Sequence, residues 1–254
     1  MILPASYANG FAPRDGSPLY PSLWTGCVGA WNPGLGVSGL TLRDQSGFQN
    51  NGTLTNGPTW AVNQGRYAMN FDGVNDYVQI GAIPNFSNIA QPAVTCSAWV
   101  KFASGYAALL TSNFTTGVYW YVAIGGLAGG QQVGIGTKYP TYSNAFLTAN
   151  VWNHVAFTFT GTTIYFFQNG KASGSFAGTA DPVCTTFRYG GYGSTESLSG
   201  QSDDLRIYNR ALSPQEIRTL ATRRGIAYEL APRRRSSAQV TTNRRRRIII
   251  GGNR

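Results

Sequence analysis

The chain has 254 residues, of which only 12% are charged, while 32 are Gly, 14 Tyr, 13 Phe and 6 Trp. This composition argues against a helical bundle and favours many short strands joined by tight turns. The net charge of +10 is uneven, because ten Arg and one Glu fall in residues 223–254, whereas charges nearly cancel over residues 1–222. The part of the chain before the basic end therefore has no general affinity for polyanions.

Residues 1–22 are predicted to form an extended N-terminal arm. They contain Pro4, Pro13, Pro18 and Pro21 and show little hydrophobic periodicity. Proline disfavours both helix interiors and central strands. The first residues lack a basic start followed by a long apolar segment, so we expect no secretory signal. No run of about 18 apolar residues occurs, so we expect no contact with a membrane through a transmembrane helix.

Short strand-like segments then follow at close intervals. Val94–Phe102 alternates between apolar and polar residues, and residues 151–160 and 163–167 form the strongest predicted pair. Asn169-Gly170 is typical of a two-residue β-hairpin turn. Together these patterns predict an all-β fold over residues 23–225, a two-sheet antiparallel jelly-roll sandwich.

The last strand and a single short C-terminal helix close this predicted domain. Leu205 and Ile207 alternate with polar residues, which indicates a half-buried strand. Ser213 and Glu216 occupy the positions of a capping box, which predicts the start of the helix. Gly225 is predicted to be its stop signal.

The residues suited to catalysis are few. Cys27, Cys96 and Cys184 are far apart and are interpreted as buried small hydrophobes, with a single disulfide as the alternative. His154, which no nucleophile elbow accompanies, is predicted to be structural. Glycoside hydrolysis requires two carboxylates that flank the scissile bond, and no predicted strand of this chain has two carboxylates on one face. We therefore predict that the protein is not an enzyme.

Several short motifs follow one another along the chain. In order, they are GAWNPG, DQSGFQNNGTL, PTW, YAMNFDGVNDYV, CSAWVK, VWNHVAFTF, IYFFQNGK and SDDLRIYNRALSPQEI. This order resembles the laminin-G-like jelly roll of the concanavalin A-like lectin/glucanase superfamily. The resemblance covers about residues 24–224 and implies two curved antiparallel sheets of about six or seven strands each.

This resemblance also implies a candidate cofactor, one structural calcium ion between the N-terminal region and the closing strand. Asp44 and Asp204 are its predicted ligands, since calcium prefers carboxylate and carbonyl oxygens. Adjacent residues of a strand face opposite sides, so we expect at most one of Asp203 and Asp204 in a given site. The alternative is that these carboxylates form Asx-turns or pair with Arg206 or with backbone N–H groups. The aspartates at the matching motif positions are Asp44, Asp72, Asp76, Asp203 and Asp204.

A glycan-binding site would use exposed aromatic rings as stacking platforms. Such rings are frequent in the middle of the chain, but the sequence does not reveal which of them are exposed. The candidates are Tyr119, Trp120, Tyr121, Tyr139, Tyr142, Tyr189 and Tyr192.

Residues 226–254 are predicted to form an Arg-rich C-terminal arm. Two arginine clusters favour binding to phosphates, whereas an isoleucine triplet favours strand addition to a neighbouring protein. We prefer docking on a partner to nucleic-acid binding, and a disordered tail is the remaining alternative. The predicted docking residues are Arg233, Arg234, Arg235, Arg244, Arg245, Arg246, Arg247, Ile248, Ile249 and Ile250.

The segments LYPSLWTGCVGAWNPG and GIAYELAPRRR are similar to laminin-G-like proteins of tailed-phage genomes. This similarity implies a non-enzymatic virion structural protein that is made in the host cytoplasm. We expect a capsid decoration protein whose jelly roll is displayed and whose arms dock on the capsid or on neighbouring copies in a homo-oligomer. The alternatives are a glycan-binding adhesion module, including a tail or fibre component that binds a host-surface glycan, and a nucleic-acid-associated protein.

Overall fold

The structure is a computed structural model that describes residues 18–83, 93–103, 107–112, 119–124, 130–136, 141–177, 186–191 and 196–230. These residues form two antiparallel sheets of eight strands each and one short α-helix. The predicted two-sheet sandwich with a single short C-terminal helix is therefore confirmed. The predicted docking residues Arg233–Arg235, Arg244–Arg247 and Ile248–Ile250 lie outside the described residues.

Sheet A contains the closing strand of the domain. With strands numbered along the chain, its members are β1 Cys27–Trp31, β4 Thr59–Asn63, β5 Arg66–Asp72, β7 Val94–Phe102, β12 Asn153–Phe159, β13 Thr163–Gln168, β14 Lys171–Ala177 and β16 Ser199–Tyr208. Their order is β14-β13-β12-β7-β16-β5-β4. Each sheet has eight strands, whereas the resemblance implied six or seven. In sheet A the additional strand fits because β5 pairs with the first half of β16 and β1 with the second half.

Sheet B packs against sheet A. Its members are β2 Thr41–Leu42, β3 Gly52–Thr55, β6 Tyr77–Ile80, β8 Ala107–Ser112, β9 Tyr119–Ile124, β10 Gly130–Gly136, β11 Thr141–Phe146 and β15 Phe187–Tyr189. Their order is β11-β10-β9-β8-β15-β6-β3-β2. The helical segments are α1 Pro214–Leu220 and the 3₁₀ turns Pro21–Trp24, Pro33–Leu35 and Ile226–Tyr228.

The main core lies between the two sheets, and its residues alternate along the strands as the sequence predicts. Every second residue of β7, from Val94 to Phe102, is buried there. Leu205 and Ile207 of β16 join them, which confirms the predicted alternation. Cys96 lies in the same core and Cys27 is also buried, and both have free thiols. Cys184 lies outside the described residues.

A second, smaller core covers the face of sheet A that points away from sheet B, which we call the outer face. Strand residues such as Ala156 and Tyr208 pack there against α1 and the two 3₁₀ turns that flank the domain. The cluster consists of Leu23, Cys27, Ala30, Ala156, Phe167, Tyr208, Leu212, Ile217, Leu220, Ile226 and Ala227. The segments that enter and leave the domain are therefore held on one face of one sheet.

The local turn and cap signals are largely confirmed. Asn169 and Gly170 have φ angles of 48° and 77° and join β13 to β14, as an Asn-Gly hairpin turn requires. Ser213 and Glu216 form the predicted capping box. The predicted stop signal is wrong, because α1 ends at Leu220, five residues before Gly225, and its cap residue is right-handed.

Candidate functional site

The two ends of the described chain lie side by side at the outer face. Pro18 and Leu230 form an antiparallel bridge, and the Leu19 amide donates to the Glu229 carbonyl at 2.7 Å. Ile226 and Ala227 are buried in the second core. The first residues of the range 226–254, which the sequence assigns to the C-terminal arm, are therefore packed on the sandwich, because they supply apolar side chains to this core.

Arg206 joins these ends to sheet A. Its side chain is fully buried, and its guanidinium lies 4.6 Å from the centroid of the Trp24 ring and 4.7 Å from that of Tyr228. The Trp24 indole N–H also donates to the Ala227 carbonyl at 3.0 Å. A cation held against two aromatic faces away from water is strongly attracted to both. We call Trp24, Arg206 and Tyr228 the clamp, because they join the entering segment, the closing strand and the leaving segment.

The charge of the clamp is balanced by Asp204. Arg206 Nε donates to Asp204 Oδ1 at 2.9 Å, and Asp204 Oδ2 accepts from the Gly225 amide at 3.0 Å. Burial alone would lower the pKa of Arg206, but the Asp204 carboxylate and neighbouring Tyr228 hold that pKa well above its usual value. The guanidinium therefore stays charged inside the protein.

A bulge in β16 places Asp204 at the clamp. Asp204 has a φ angle of 52°, and the pairing of β16 with β7 shifts between Asp203 and Arg206. This left-handed residue interrupts the alternation of the strand. Asp203 and Asp204 consequently both contact residues on the outer face, so the expectation that they face opposite sides is wrong.

Asp44 has a separate role in shaping the turn between β2 and β3. Its Oδ1 accepts from the amides of Ala30 and Ser46, each at 2.8 Å. Its Oδ2 accepts from the Ser46 hydroxyl at 2.7 Å and from the Asn50 amide at 2.9 Å. The bond to Ser46, two residues ahead, confirms the Asx-turn. Asp72 forms a second such turn with the Val74 amide.

The predicted calcium ligands do not fit a metal ion in this arrangement. Asp44 accepts four hydrogen bonds from protein donors, and Asp204 is paired with the buried Arg206 guanidinium. A divalent cation beside that guanidinium would meet strong like-charge repulsion. Within the described ranges, no group of three or more His, Cys, Asp or Glu side chains could hold a metal. Calcium binding therefore stays a prediction that the geometry does not support.

A second ionic cluster lies beside the clamp on the outer face. Arg66 Nε donates to Asp203 Oδ2 at 2.8 Å, and Arg224 Nη1 lies 3.7 Å from the same oxygen. Burial raises the pKa of Asp203 above its ordinary value, although both arginines oppose this effect. A Cβ atom added to Gly34 or Gly225 would overlap the Arg66 guanidinium, so the guanidinium lies in a slot between two glycines.

Trp152 extends this cluster with an aromatic ring. The Arg224 guanidinium lies 4.1 Å from the centroid of the Trp152 ring, and the indole N–H donates to Asn63 Oδ1 at 3.1 Å. Asn63 Nδ2 in turn donates to Gln201 Oε1 at 2.8 Å. We call Arg66, Asp203 and Arg224 with Trp152, Asn63 and Gln201 the outer-face cluster. It combines one half-buried aromatic ring, two amides, two cations and one carboxylate.

His154 has the structural role that the sequence predicts. The ring is buried, and its Nε2 lies 2.9 Å from the Ser97 hydroxyl. Burial lowers the pKa of His154 to about 4, a shift that Asp204 partly opposes. Nδ1 has no hydrogen-bond partner among the residues described, so no carboxylate orients this ring as in a catalytic triad.

The predicted glycan-binding aromatics are only partly described. Tyr189 is fully buried against Phe71, so it offers no surface for stacking. Tyr139 and Tyr192 lie outside the described residues, as do the side chains of Tyr119, Trp120, Tyr121 and Tyr142.

Sequence reasoning missed the clamp and the outer-face cluster. The clamp residues Trp24 and Arg206 are far apart in the sequence, and so are Arg66 and Asp203. Local periodicity reports which face a residue takes but not its distant partner. The sequence offered one signal for the clamp, which was Arg206 itself. This residue is charged, yet it lies on the face of β16 that later segments of the chain cover.

Comparison with known proteins agrees with this architecture. A family model described as the concanavalin A-like lectin/glucanases superfamily (Laminin_G_3) matches residues 72–218. No curated protein matches the chain by sequence. No helix in the described part is long and apolar enough to cross a membrane.

Several solved structures share the fold at low sequence identity. Domain 4 of AbnA, an extracellular GH43 arabinanase from Geobacillus stearothermophilus solved with arabinotriose, is 17% identical with a TM-score of 0.61, over 77% of this chain and 98% of that one. The binding domain of Paraclostridial Mosquitocidal Protein 1 is 16% identical with a TM-score of 0.62, over 78% and 52%. Trypanosoma rangeli sialidase is 18% identical with a TM-score of 0.59, over 78% and 32%. The chain thus spans about half or less of the last two structures, and these likenesses show the fold alone.

Proposed function

The chain belongs to the concanavalin A-like lectin/glucanases superfamily, and proteins with this fold have many different functions. We therefore propose the function of this protein from the arrangement of the two ends of its described part. The protein is a non-enzymatic virion structural protein of a tailed phage, and specifically a capsid decoration protein made in the host cytoplasm. Its sandwich is displayed, and its two arms dock on the capsid or on neighbouring copies.

The observation that carries this proposal is the pairing of the two ends at the outer face. Pro18 and Leu230 are bridged, and the clamp fixes both segments to sheet A. Both arms therefore start from one place, and a partner bound there leaves the opposite side of the sandwich free for display. Residues 223–254 carry nearly all of the net positive charge, which favours an acidic partner surface.

The non-enzymatic part of the proposal is supported by the roles of the carboxylates. Asp44 shapes a turn, Asp203 and Asp204 pair with arginines, and Glu216 caps α1 and pairs with Arg210 at 2.6 Å. Glycoside hydrolysis instead needs one carboxyl group free to exchange a proton and a second that is ionised. Each of these four carboxylates is engaged with a protein donor.

Mass spectrometry of purified particles tests the proposal. We expect the chain in every particle, at a copy number that scales with the number of capsid subunits. A few copies per particle would instead indicate a tail or fibre component. Absence of the chain from particles would refute the virion role.

A second candidate function, glycan binding, is favoured by the outer-face cluster and by the arabinotriose named for one of the similar structures. The test is retention of the full chain on an immobilised arabinan column. Under this alternative, Trp152→Ala would abolish retention, whereas Tyr165→Ala, which changes an exposed ring elsewhere on sheet A, would leave it unchanged. Passage of the native chain without delay would remove the support for arabinan binding.

A further inference from the structure

β4 is an edge strand with an unpaired side. The turn Gln64-Gly65 has φ angles of 53° and 74°, as a two-residue hairpin requires. In such a hairpin Asn63 and Arg66 exchange both backbone hydrogen bonds, and bonded pairs alternate from there along the strands. The amide and carbonyl groups of Trp60 and Val62 therefore point away from β5. No described segment pairs with that side of β4.

β4 also lacks the features that usually protect a sheet edge. Edge strands are commonly blunted by lysine, proline or a bulge. β14, at the opposite edge of sheet A, has Lys171 and a bulge in its pairing with β13. β4 has the sequence TWAVN and pairs with β5 without a shift in register. An unprotected edge of this kind is a template for another strand.

Exposed apolar side chains occur on β4 and on the segment that contacts it through Trp60. Val62 is 64% exposed, and in the loop before β2, Leu40 is 74%, Val37 55% and Leu35 50% exposed. The Trp60 indole N–H donates to the Gly39 carbonyl at 2.9 Å, which holds the loop beside β4. A patch of this kind on a soluble domain marks an interaction surface.

We propose that the β4 edge is the acceptor for the isoleucine triplet Ile248–Ile250 of the C-terminal arm, which adds to it as a strand. This inference rests on the proposed docking role of the arm and names the surface that receives it. Three consecutive β-branched residues favour an extended strand. Their side chains would cover the exposed Val62 and Leu40, while their backbone would pair with Trp60 and Val62.

The point where the chain leaves the domain supports this occupant. Arg224 Nη2 donates to the Asn63 carbonyl at 2.8 Å, so the leaving segment already touches the end of β4. The 18 residues from Leu230 to Ile248 span up to about 60 Å when extended. In dilute protein the tether favours the edge of the same copy, and at high concentration the triplet can be exchanged with a neighbour.

Charge favours one direction for the added strand. Asn70 and Asp72 lie at the Thr59 end of β4, whereas Arg66 and Arg224 lie at its Asn63 end. Arg244–Arg247 directly precede the triplet. A triplet parallel to β4 brings these arginines to the Asp72 carboxylate, and an antiparallel one brings them to two arginines. The parallel arrangement is therefore the expected one.

Cysteine cross-linking in the full chain tests the proposal. The test pair is Val62→Cys with Ile249→Cys, and the matched control is Phe176→Cys with Ile249→Cys, because Phe176 is 52% exposed on the opposite edge strand. Cys27 and Cys96 are buried, and Cys184→Ala is included in every variant. After mild oxidation, we expect about tenfold more disulfide from the test pair than from the control, within one chain at low concentration and between chains at high concentration.

Equal yields from the two pairs, or no disulfide from either, would overturn the proposal. A second readout is independent of cysteine. Hydrogen exchange at the amides of Trp60 and Val62 should be about tenfold slower in the native chain than in the Ile249→Asp variant, and equal rates would also count against the pairing. If the chain is abundant in particles but neither readout responds, the docking role stands and the acceptor lies elsewhere. If both readouts respond but particles lack the chain, the virion role fails instead.

Discussion

The clamp predicts a large effect for one substitution at the outer face. Arg206→Met keeps the length of the side chain but removes the cation that Asp204, Trp24 and Tyr228 surround. Breaking a buried ion pair by removing one partner costs about 3–5 kcal/mol, because the remaining charge is left unpaired. Since domains are typically stable by about 5–15 kcal/mol, the variant should lose a large fraction of its free energy of unfolding.

A double variant separates the unpaired charge from the lost packing. Asp204→Asn removes the charge and keeps an acceptor for the Gly225 amide, and Asn tolerates the φ angle of 52° at this position. We expect Asp204→Asn/Arg206→Met to be more stable than Arg206→Met by about 2 kcal/mol. Urea unfolding followed by Trp fluorescence measures both values.

The clamp also predicts where the structure loosens first. In Arg206→Met, hydrogen exchange at the amides of Leu19 and Tyr228 should accelerate more than exchange at Phe157 in the main core. The reasoning would be refuted by a loss of less than about 1 kcal/mol in the single variant, or by equal stability of the single and double variants.

Three further predictions concern stability. Burial lowers the pKa of His154 to about 4, so the stability that this neutral ring contributes above the ordinary His pKa should fall by about 2–3 kcal/mol between pH 7 and pH 4.5. Urea unfolding of His154→Gln should lack this part of the loss. Gly225→Ala would place its Cβ 2.4 Å from Arg66 Nη2, whereas Gly65→Ala, at the same φ of 74°, meets no atom within 4 Å. Gly225→Ala should therefore lower the free energy of unfolding by about 1–3 kcal/mol more than Gly65→Ala. Equal losses in the two variants would exclude the slot around Arg66. Ser213→Ala removes the capping box of α1 and should cost about 1 kcal/mol in thermal unfolding, while an unchanged melting temperature would contradict the role of the cap.

The features that the sequence predicts well are those encoded over a few residues. The capping box at Ser213 and the turn at Asn169-Gly170 each depend on one short segment. The alternation of Leu205 and Ile207 likewise reports a sheet face directly. Such signals, repeated along the chain, are sufficient for the fold class.

The parts of the site that could not be predicted depend on contacts between distant segments. The bulge at Asp204 decides on which face of sheet A its carboxylate lies. The residue types around Asp204 do not predict that this aspartate has a left-handed conformation. Gly225 was expected to stop a helix, but its lack of a side chain is used to admit Arg66 from another strand. The family resemblance implied a calcium ligand at Asp204, whereas the structure pairs this carboxylate with the Arg206 guanidinium, which was the stated alternative.

The bridge between Pro18 and Leu230 makes the domain a modular insert. Its entry and exit points are separated by about one strand spacing, roughly 5 Å. The domain can therefore be inserted into a surface loop of an unrelated protein without separating the two ends of that loop. It can also be circularly permuted, because a short linker can join its natural ends while new ends are opened elsewhere. The residues before Pro18 and after Leu230 can thus be exchanged for other sequences without rebuilding the sandwich.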